Sequence, residues 1–256
     1  MVRSHVQFTF LCSLFIFSCS TKATMSVNRM VVYFEAGQLP RQDIQITNPD
    51  NETLYLETEV FKVINPGATD ETLKKITETD QIKLLATPQK AVIPANTYKS
   101  IRLISLETPP NLEQVYRVTF RPVLGDMKAT RSAIKVLVAY QALVFIRPAK
   151  TRKEVTPARE KNTVVFKNTG NINVVLRNTH FCKRNENRDC SPLKQSGRIY
   201  PGQAFHLTLP EEAIRLGGSI RYGLFDGQDE VSKVFRLNSG AQPSRVKKVS
   251  TNQHEQ

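Results

Sequence analysis

The chain has 256 residues, 40% hydrophobic and 23% charged, with 11 Gly and 14 Pro; a core can form, and two units of about 100 to 130 residues suit the length. Lys and Arg number 36 against 23 Asp and Glu, a formal net charge of +13. These figures exclude a collagen-like repeat, a sustained coiled coil and a wholly disordered chain, and with four His, four Cys and no Trp they leave little material for a metal site or a histidine catalyst.

Arg3 precedes an apolar run from Val6 to Phe17, and Thr21-Lys22-Ala23 then sets small residues at the two positions a signal peptidase reads. Residues 1–23 are therefore expected to be a removable signal peptide. The run is shorter than the roughly 20 residues that span a bilayer, and no second such run follows, so no stable membrane insertion is expected. A lipoprotein is the rival reading: Ile16-Phe17-Ser18-Cys19 loosely resembles a lipidation box, although Phe17 is bulky for one.

Short β-branched and aromatic runs, broken by Pro, Gly and Asn, follow. Strands are expected at Val31 to Phe34, Gln42 to Thr47, Tyr55 to Ile64, Ile82 to Thr87, Ala91 to Ile93, Lys99 to Leu106 and Val115 to Val123. Turn signals such as Asn48-Pro49-Asp50-Asn51 and Asn65-Pro66-Gly67 separate them. The series ends in Ser132 to Ile146, about fifteen residues and well beyond the usual five or six. Ile134, Val136 and Val138 form one apolar row of that strand while Leu137 and Ala139 look the other way. Two readings stay open for it: a central strand covered on both faces, or an edge strand whose row waits for a partner.

Arg147-Pro148-Ala149-Lys150-Thr151-Arg152-Lys153 is basic and without apolar period, so residues 148–156 are expected to be a linker between a unit at 24–147 and a second at 157–238. In the second, strands are expected at Thr163 to Lys167, Asn173 to Asn178, Arg198 to Tyr200, Ala204 to Leu209, Ser219 to Leu224 and Glu230 to Arg236, with Asp226-Gly227 as a hairpin turn and Glu211-Glu212 as a loop or short helix start. The strand counts predict an all-β protein of two immunoglobulin-like sandwiches. Removing the signal peptide leaves Cys182 and Cys190 as an even pair in an exported chain, and a disulfide worth about 2 kcal/mol is expected across the polar loop between them. A zinc half-site or a free thiol would need ligands or a base beyond the single nearby His180. Residues 239–256 turn polar and basic and read as a disordered tail.

The positive charge alone permits nucleic acid or an anionic surface, yet no helix-turn-helix, zinc finger or basic-aromatic repeat accompanies it, and export makes nucleic acid an unsuitable partner. Lys74-Lys75, Lys183-Arg184 and Lys247-Lys248 read as solvated faces. There is no Gly-rich phosphate loop, no Gly-x-Ser-x-Gly and no His-Glu-x-x-His, so no enzyme and no cofactor is expected.

The order of these parts, with the long strand ending in Val144-Phe145-Ile146-Arg147-Pro148, resembles the periplasmic chaperones of the chaperone/usher pathway that assemble pili and fimbriae. Ile64-Asn65-Pro66-Gly67, Ala86-Thr87-Pro88-Gln89-Lys90, Lys99-Ser100-Ile101-Arg102-Leu103 and Val115-Tyr116-Arg117-Val118 are similar to motifs of its alternate, or alpha-type, branch. Lys167-Asn168-Thr169-Gly170-Asn171, Phe181-Cys182, Cys190 and Ile199-Tyr200-Pro201-Gly202 match the same branch, so the resemblance covers nearly the whole chain after residue 23.

The resemblance implies a boomerang-like pair of sandwiches with a cleft between them, joined by a short hinge. It implies donor-strand complementation, in which the chaperone lends its long strand to an incomplete pilin and delivers it to an outer-membrane usher. Counted back from Arg147-Pro148, the donor row falls on Ile134, Val136 and Val138, or includes Leu137 if the register slips by one. Well-studied members also clamp the pilin's terminal carboxylate with an Arg and a Lys; here Leu143 stands at the Lys position and Val31 at the Arg position, which leaves Arg29, Lys135 and Arg117 as candidate anchors. Arg102 and Arg147 match structural positions. Self-association of the free protein, hiding the apolar row, is a further expectation, and a structural or adhesive subunit of a surface fibre is the alternative function.

Overall fold

The structure is a computed structural model and describes residues 25–106, 109–123, 137–183 and 189–237. The expected signal peptide, the first part of the long strand, most of the loop between the two cysteines and the expected tail lie outside these residues.

The first unit contains β1 (Ser26–Val27), β2 (Val31–Phe34), β3 (Arg41–Asn48), β4 (Leu54–Ile64), β5 (Thr72–Lys75), β6 (Leu84–Thr87), β7 (Lys90–Ile93), β8 (Thr97–Ser105), β9 (Gln114–Val123) and β10 (Tyr140–Ile146). They form two sheets. One has the order β1-β3-β8-β6; the other runs β2-β10-β9-β4-β5, with β7 also on β4. Alternation explains the packing: Ile44 and Ile46, Leu54 and Leu56, Ile101 and Leu103, Val118 and Phe120, and Ala142, Val144 and Ile146 all turn inward and are buried.

The second unit contains β11 (Val155–Glu160), β12 (Thr163–Asn168), β13 (Val174–Cys182), β14 (Cys190–Pro192), β15 (Gly197–Ile199), β16 (Ala204–Thr208), α1 (Glu211–Leu216), β17 (Gly218–Phe225) and β18 (Glu230–Leu237). Its sheets are β11-β12-β16 and β14-β13-β17-β18, with β15 also on β13. Phe166 and Tyr222 meet edge to face at the centre of its core, 4.8 Å between centroids. Cys182 and Cys190 stand opposite each other where β13 meets β14 and form the expected disulfide.

Both sandwiches use the same buried asparagine. Asn48 ends β3 and donates to the carbonyls of Glu52, Ile93 and Pro94; Asn168 ends β12 and donates to those of Ile172 and Ile199. Each also accepts from the backbone N–H two residues on, so a single amide satisfies a turn and a neighbouring strand end.

Two expectations need correction. Val155 and Thr156, read as linker, already belong to β11, which Pro157 and its polar neighbours disguise; only Val155 of that edge strand is buried, so the sequence carries no alternation there. The described part of the long strand is seven residues, Tyr140–Ile146, with Leu137, Val138 and Ala139 unassigned before it.

Candidate functional site

The outer face of the six-stranded sheet carries the site. Register places Val31, Leu143, Arg117 and Phe61 in one cross-strand row, and Tyr33, Phe145, Val115 and Val63 in the next row towards the second unit. Tyr33 stacks on Phe145 at 5.2 Å, and Tyr200 of the second unit packs against Phe145 and the same small cluster. An apolar floor thus joins the two sandwiches.

At the edge of this floor β10 changes neighbours. β9 pairs with it from Tyr140 to Ile146, whereas β2 pairs only from Leu143 to Ile146. On the β2 side, Tyr140, Gln141 and Ala142 therefore have no neighbouring strand among the described residues. Val138, just before them, is 47% exposed. It has the parity of the inward-facing Ala142, Val144 and Ile146, but no second sheet lies over it to bury it. Ile134 and Val136, the other two members of the expected row, lie outside the described residues.

The candidate anchors fare differently. Arg29 sits before β2, not on it, and its guanidinium donates to Gln42 Oε1 at 3.3 Å and to the carbonyl of Asp43, both on β3 of the other sheet. The expectation that it shares a face with Val31 is thus corrected: the chain turns between β1 and β2, and alternation does not extend across that turn. Lys135 lies outside the described residues. Arg117 is on the outer face beside Leu143, half-buried, with Nη1 donating to Gln141 Oε1 at 3.0 Å and Nη2 paired with Glu71 Oε1. Arg102 pairs with Asp43 on the opposite sheet, away from this face.

Sequence reading does not single out Glu71 and Arg198. Arg198 lies over Phe145, 5.0 Å from the ring centroid, and donates to Asn173 Oδ1. Burial pushes the Tyr200 hydroxyl above its usual range, while Arg198, Glu71, Arg117 and Glu113 all act on it electrostatically, so four charges surround one ring. The available signal is the pair of motifs Ile64-Asn65-Pro66-Gly67 and Ile199-Tyr200-Pro201-Gly202, because Gly67 and Tyr200 touch. A Cβ at Gly67 would fall inside the Tyr200 ring, and one at Gly227 would fall inside that of Tyr33. Each unit offers a turn glycine, both at positive φ, to a tyrosine of the other.

Beneath these contacts lies a polar latch. Arg147 is 3% exposed, stacks on Tyr33 at 4.3 Å, donates from Nη1 to Glu35 at 2.8 Å and from Nη2 to the carbonyl of Asp226. Glu113 accepts from the backbone and side-chain nitrogens of Asn173, both at 2.8 Å, and its other oxygen lies 3.5 Å from Arg147 Nε, an ion pair without hydrogen-bond alignment. Lys153 pairs with Asp226 at 2.6 Å.

The latch gives two opposite pH dependences. Burial pushes Glu113 above its ordinary value of 4.5, so the folded state takes up this proton first and loses stability as pH rises through the raised value. For Asp226, burial acts upward but is outweighed by Lys153 and the backbone N–H groups of Gln228 and Asp229, which hold it below 3.8; its contribution is lost as pH falls through that lowered value. Thermal unfolding should therefore show Tm rising as pH drops from neutral towards about 5 and falling below about 4. The rise should vanish in Glu113→Gln, and a Tm that declines steadily from neutral pH would contradict the Glu113 shift.

Among the described residues no group of three or more His, Cys, Asp or Glu could hold a metal. The site is a strand edge, an apolar floor and a few guanidinium groups; it binds chain and has no reacting centre.

Comparison with known proteins agrees. Residues 24–152 match the family model described as pili and flagellar-assembly chaperone, PapD N-terminal domain. A CS1 fimbrial protein of Escherichia coli is 31% identical over 172 residues, 63% of this chain and 71% of its own. The crystal structure of the class 5 fimbriae chaperone CfaA superposes with a TM-score of 0.63 at 26% identity, covering 82% of this chain and 98% of that one. A chaperone from a chaperone–tip adhesin complex of CFA/I fimbriae gives 0.63 at 25% identity, over 85% of this chain and all of its own. With family match, two-sandwich fold and a cleft-lining strand edge in agreement, this chain belongs to the pilus-assembly chaperones and is not an enzyme.

Proposed function

We propose that this protein binds fimbrial subunits in the periplasm by donor-strand complementation and hands them to an outer-membrane usher. The observation that carries the reading is the edge of β10, which lacks a strand neighbour before Leu143 and is continuous with the apolar sequence running back to Ile134. A subunit missing one strand can pair with that edge and bury the row Ile134, Val136 and Val138, each worth roughly 1.5–3 kcal/mol when fully covered, less the cost of ordering both partners. The parity of Val138 with the inward row of β10 supports this register over the one that uses Leu137.

Arg117 is the best placed of the three candidate anchors. It leans towards β10 through its bond to Gln141, so a carboxylate at the end of a strand lying beside β10 would come within its reach. Export by removal of residues 1–23 completes the proposal. The fibre-subunit alternative is not favoured, because the chain's family assembles pili.

Co-expression in a bacterial periplasm with a fimbrial subunit of the CFA/I type tests the function. The subunit should survive proteolysis and co-purify one to one only when this chain is present. Equal survival without it, or recovery of this chain in the fibres themselves, would overturn the proposal.

A further inference from the structure

The Asn65–Glu71 turn is a compact, self-bonded unit. Asn65 donates to Asp70 at 2.7 Å, the N–H of Ala68 to the carbonyl of Asn65, the N–H of Glu71 to that of Ala68, and the N–H of Gly67 to Glu71 Oε2 at 2.7 Å. Tyr200 packs on Gly67 and closes the turn from the other sandwich. The result is a fixed carboxylate: Glu71 is held by one oxygen and presents the other to Nη2 of Arg117. Nη1 of Arg117 is bonded to Gln141 and its buried Nε has no hydrogen-bond partner.

We propose that Glu71 is a built-in competitor for the Arg117 seat, one that restricts the seat to carboxylates delivered on a strand paired with β10. This rests on the reading of Arg117 as the anchor. Effective concentration sets the outcome. A tethered carboxylate competes as if present at a millimolar or higher level, so small free anions at ordinary concentrations do not displace it. A carboxylate at the end of a client strand already zipped along β10 is tethered too, and meets Glu71 on equal terms. The exchange keeps the guanidinium paired throughout and avoids leaving a half-buried cation bare between clients. Glu71 thereby trades affinity for selectivity, and the trade is modest, because the pair it breaks is partly exposed.

The test uses the full chain after residue 23 as wild type, Glu71→Gln and Arg117→Gln. The probes are sodium acetate and two labelled synthetic peptides of one alternating Val-Thr sequence, one ending in a free carboxylate and one in an amide. The wild type should bind the acid more tightly than the amide, with acetate at tens of millimolar unable to erase the difference. Glu71→Gln should bind the acid about fivefold more tightly still, bind the amide unchanged, and become sensitive to acetate. The Nε–H resonance of Arg117 should move with acetate in Glu71→Gln and stay still in the wild type, a readout that a purely structural Glu71 would not give. If Glu71→Gln keeps the wild-type acid-to-amide ratio and ignores acetate while Arg117→Gln abolishes that ratio, the anchor stands and the competitor role falls. If Arg117→Gln leaves the ratio unchanged, the anchor reading fails and this inference with it.

Discussion

Replacing Val136 by aspartate should abolish protection of a co-expressed fimbrial subunit while leaving the free chaperone as stable as before. In the complex the substitution forfeits roughly 1.5–3 kcal/mol of apolar burial and forces a carboxylate into an apolar groove at a cost of several kcal/mol more. Together these lower affinity by at least about a thousandfold. Val136→Ile keeps the apolar row and should retain protection. Urea unfolding of the free Val136→Asp protein should match wild type, because the donor row is not needed for the sandwich core centred on Phe120 and Val144. Leu137→Asp separates the two registers: it should be tolerated if the even-numbered row enters the client, and it becomes the disabling change if the register is displaced by one. Normal protection by both aspartate variants would remove donor-strand complementation from the account.

Much of the fold is legible in the sequence because buried strands announce themselves by alternation. β2, β3, β4, β8 and β9 fall within a residue or two of their expected places, each with an inward row of Ile, Leu, Val or Phe. Edge strands do not announce themselves. All four residues of Thr72–Lys75 are exposed, and Val155–Glu160 buries only its first, so neither needs an apolar face to exist; pairing to β4 and to β12 makes them strands. The site is legible only as far as local pattern reaches. The apolar run of the donor strand stands out, whereas the partnership of Glu71 with Arg117, 46 positions apart, depends on a turn folding back over a sheet and leaves no periodic trace. Arg29 shows the converse. Counting by twos places it on the face of β2, but the bend at residues 28–30 turns its side chain to β3.

Arg147→Ala should uncouple the two sandwiches. The guanidinium is the cation for two carboxylates at the junction, Glu35 and the fully buried Glu113, and it supplies a hydrogen bond to the Asp226 carbonyl. Removing it leaves Glu113 as a buried charge without compensation, a change worth about 3–5 kcal/mol, which for a protein of this size corresponds to a Tm lower by roughly 10 °C. Unfolding in urea should separate into two transitions as each sandwich melts alone. Arg147→Lys should fail to restore the wild type, since a single ammonium cannot serve Glu35, Glu113 and the carbonyl at once or stack on Tyr33. The double variant Arg147→Ala/Glu113→Gln should recover part of the loss, because it removes the stranded charge and keeps an oxygen acceptor for Asn173. Gly227→Ala reaches the junction independently: it leaves every ion pair in place and drives a methyl into Tyr33, so it should lower Tm and broaden the interdomain geometry seen by small-angle scattering. If Gly227→Ala loosens the junction and Arg147→Ala does not, ring packing and not the buried charge network holds the cleft in shape, and the donor edge would then be positioned by Tyr33, Phe145 and Tyr200 alone.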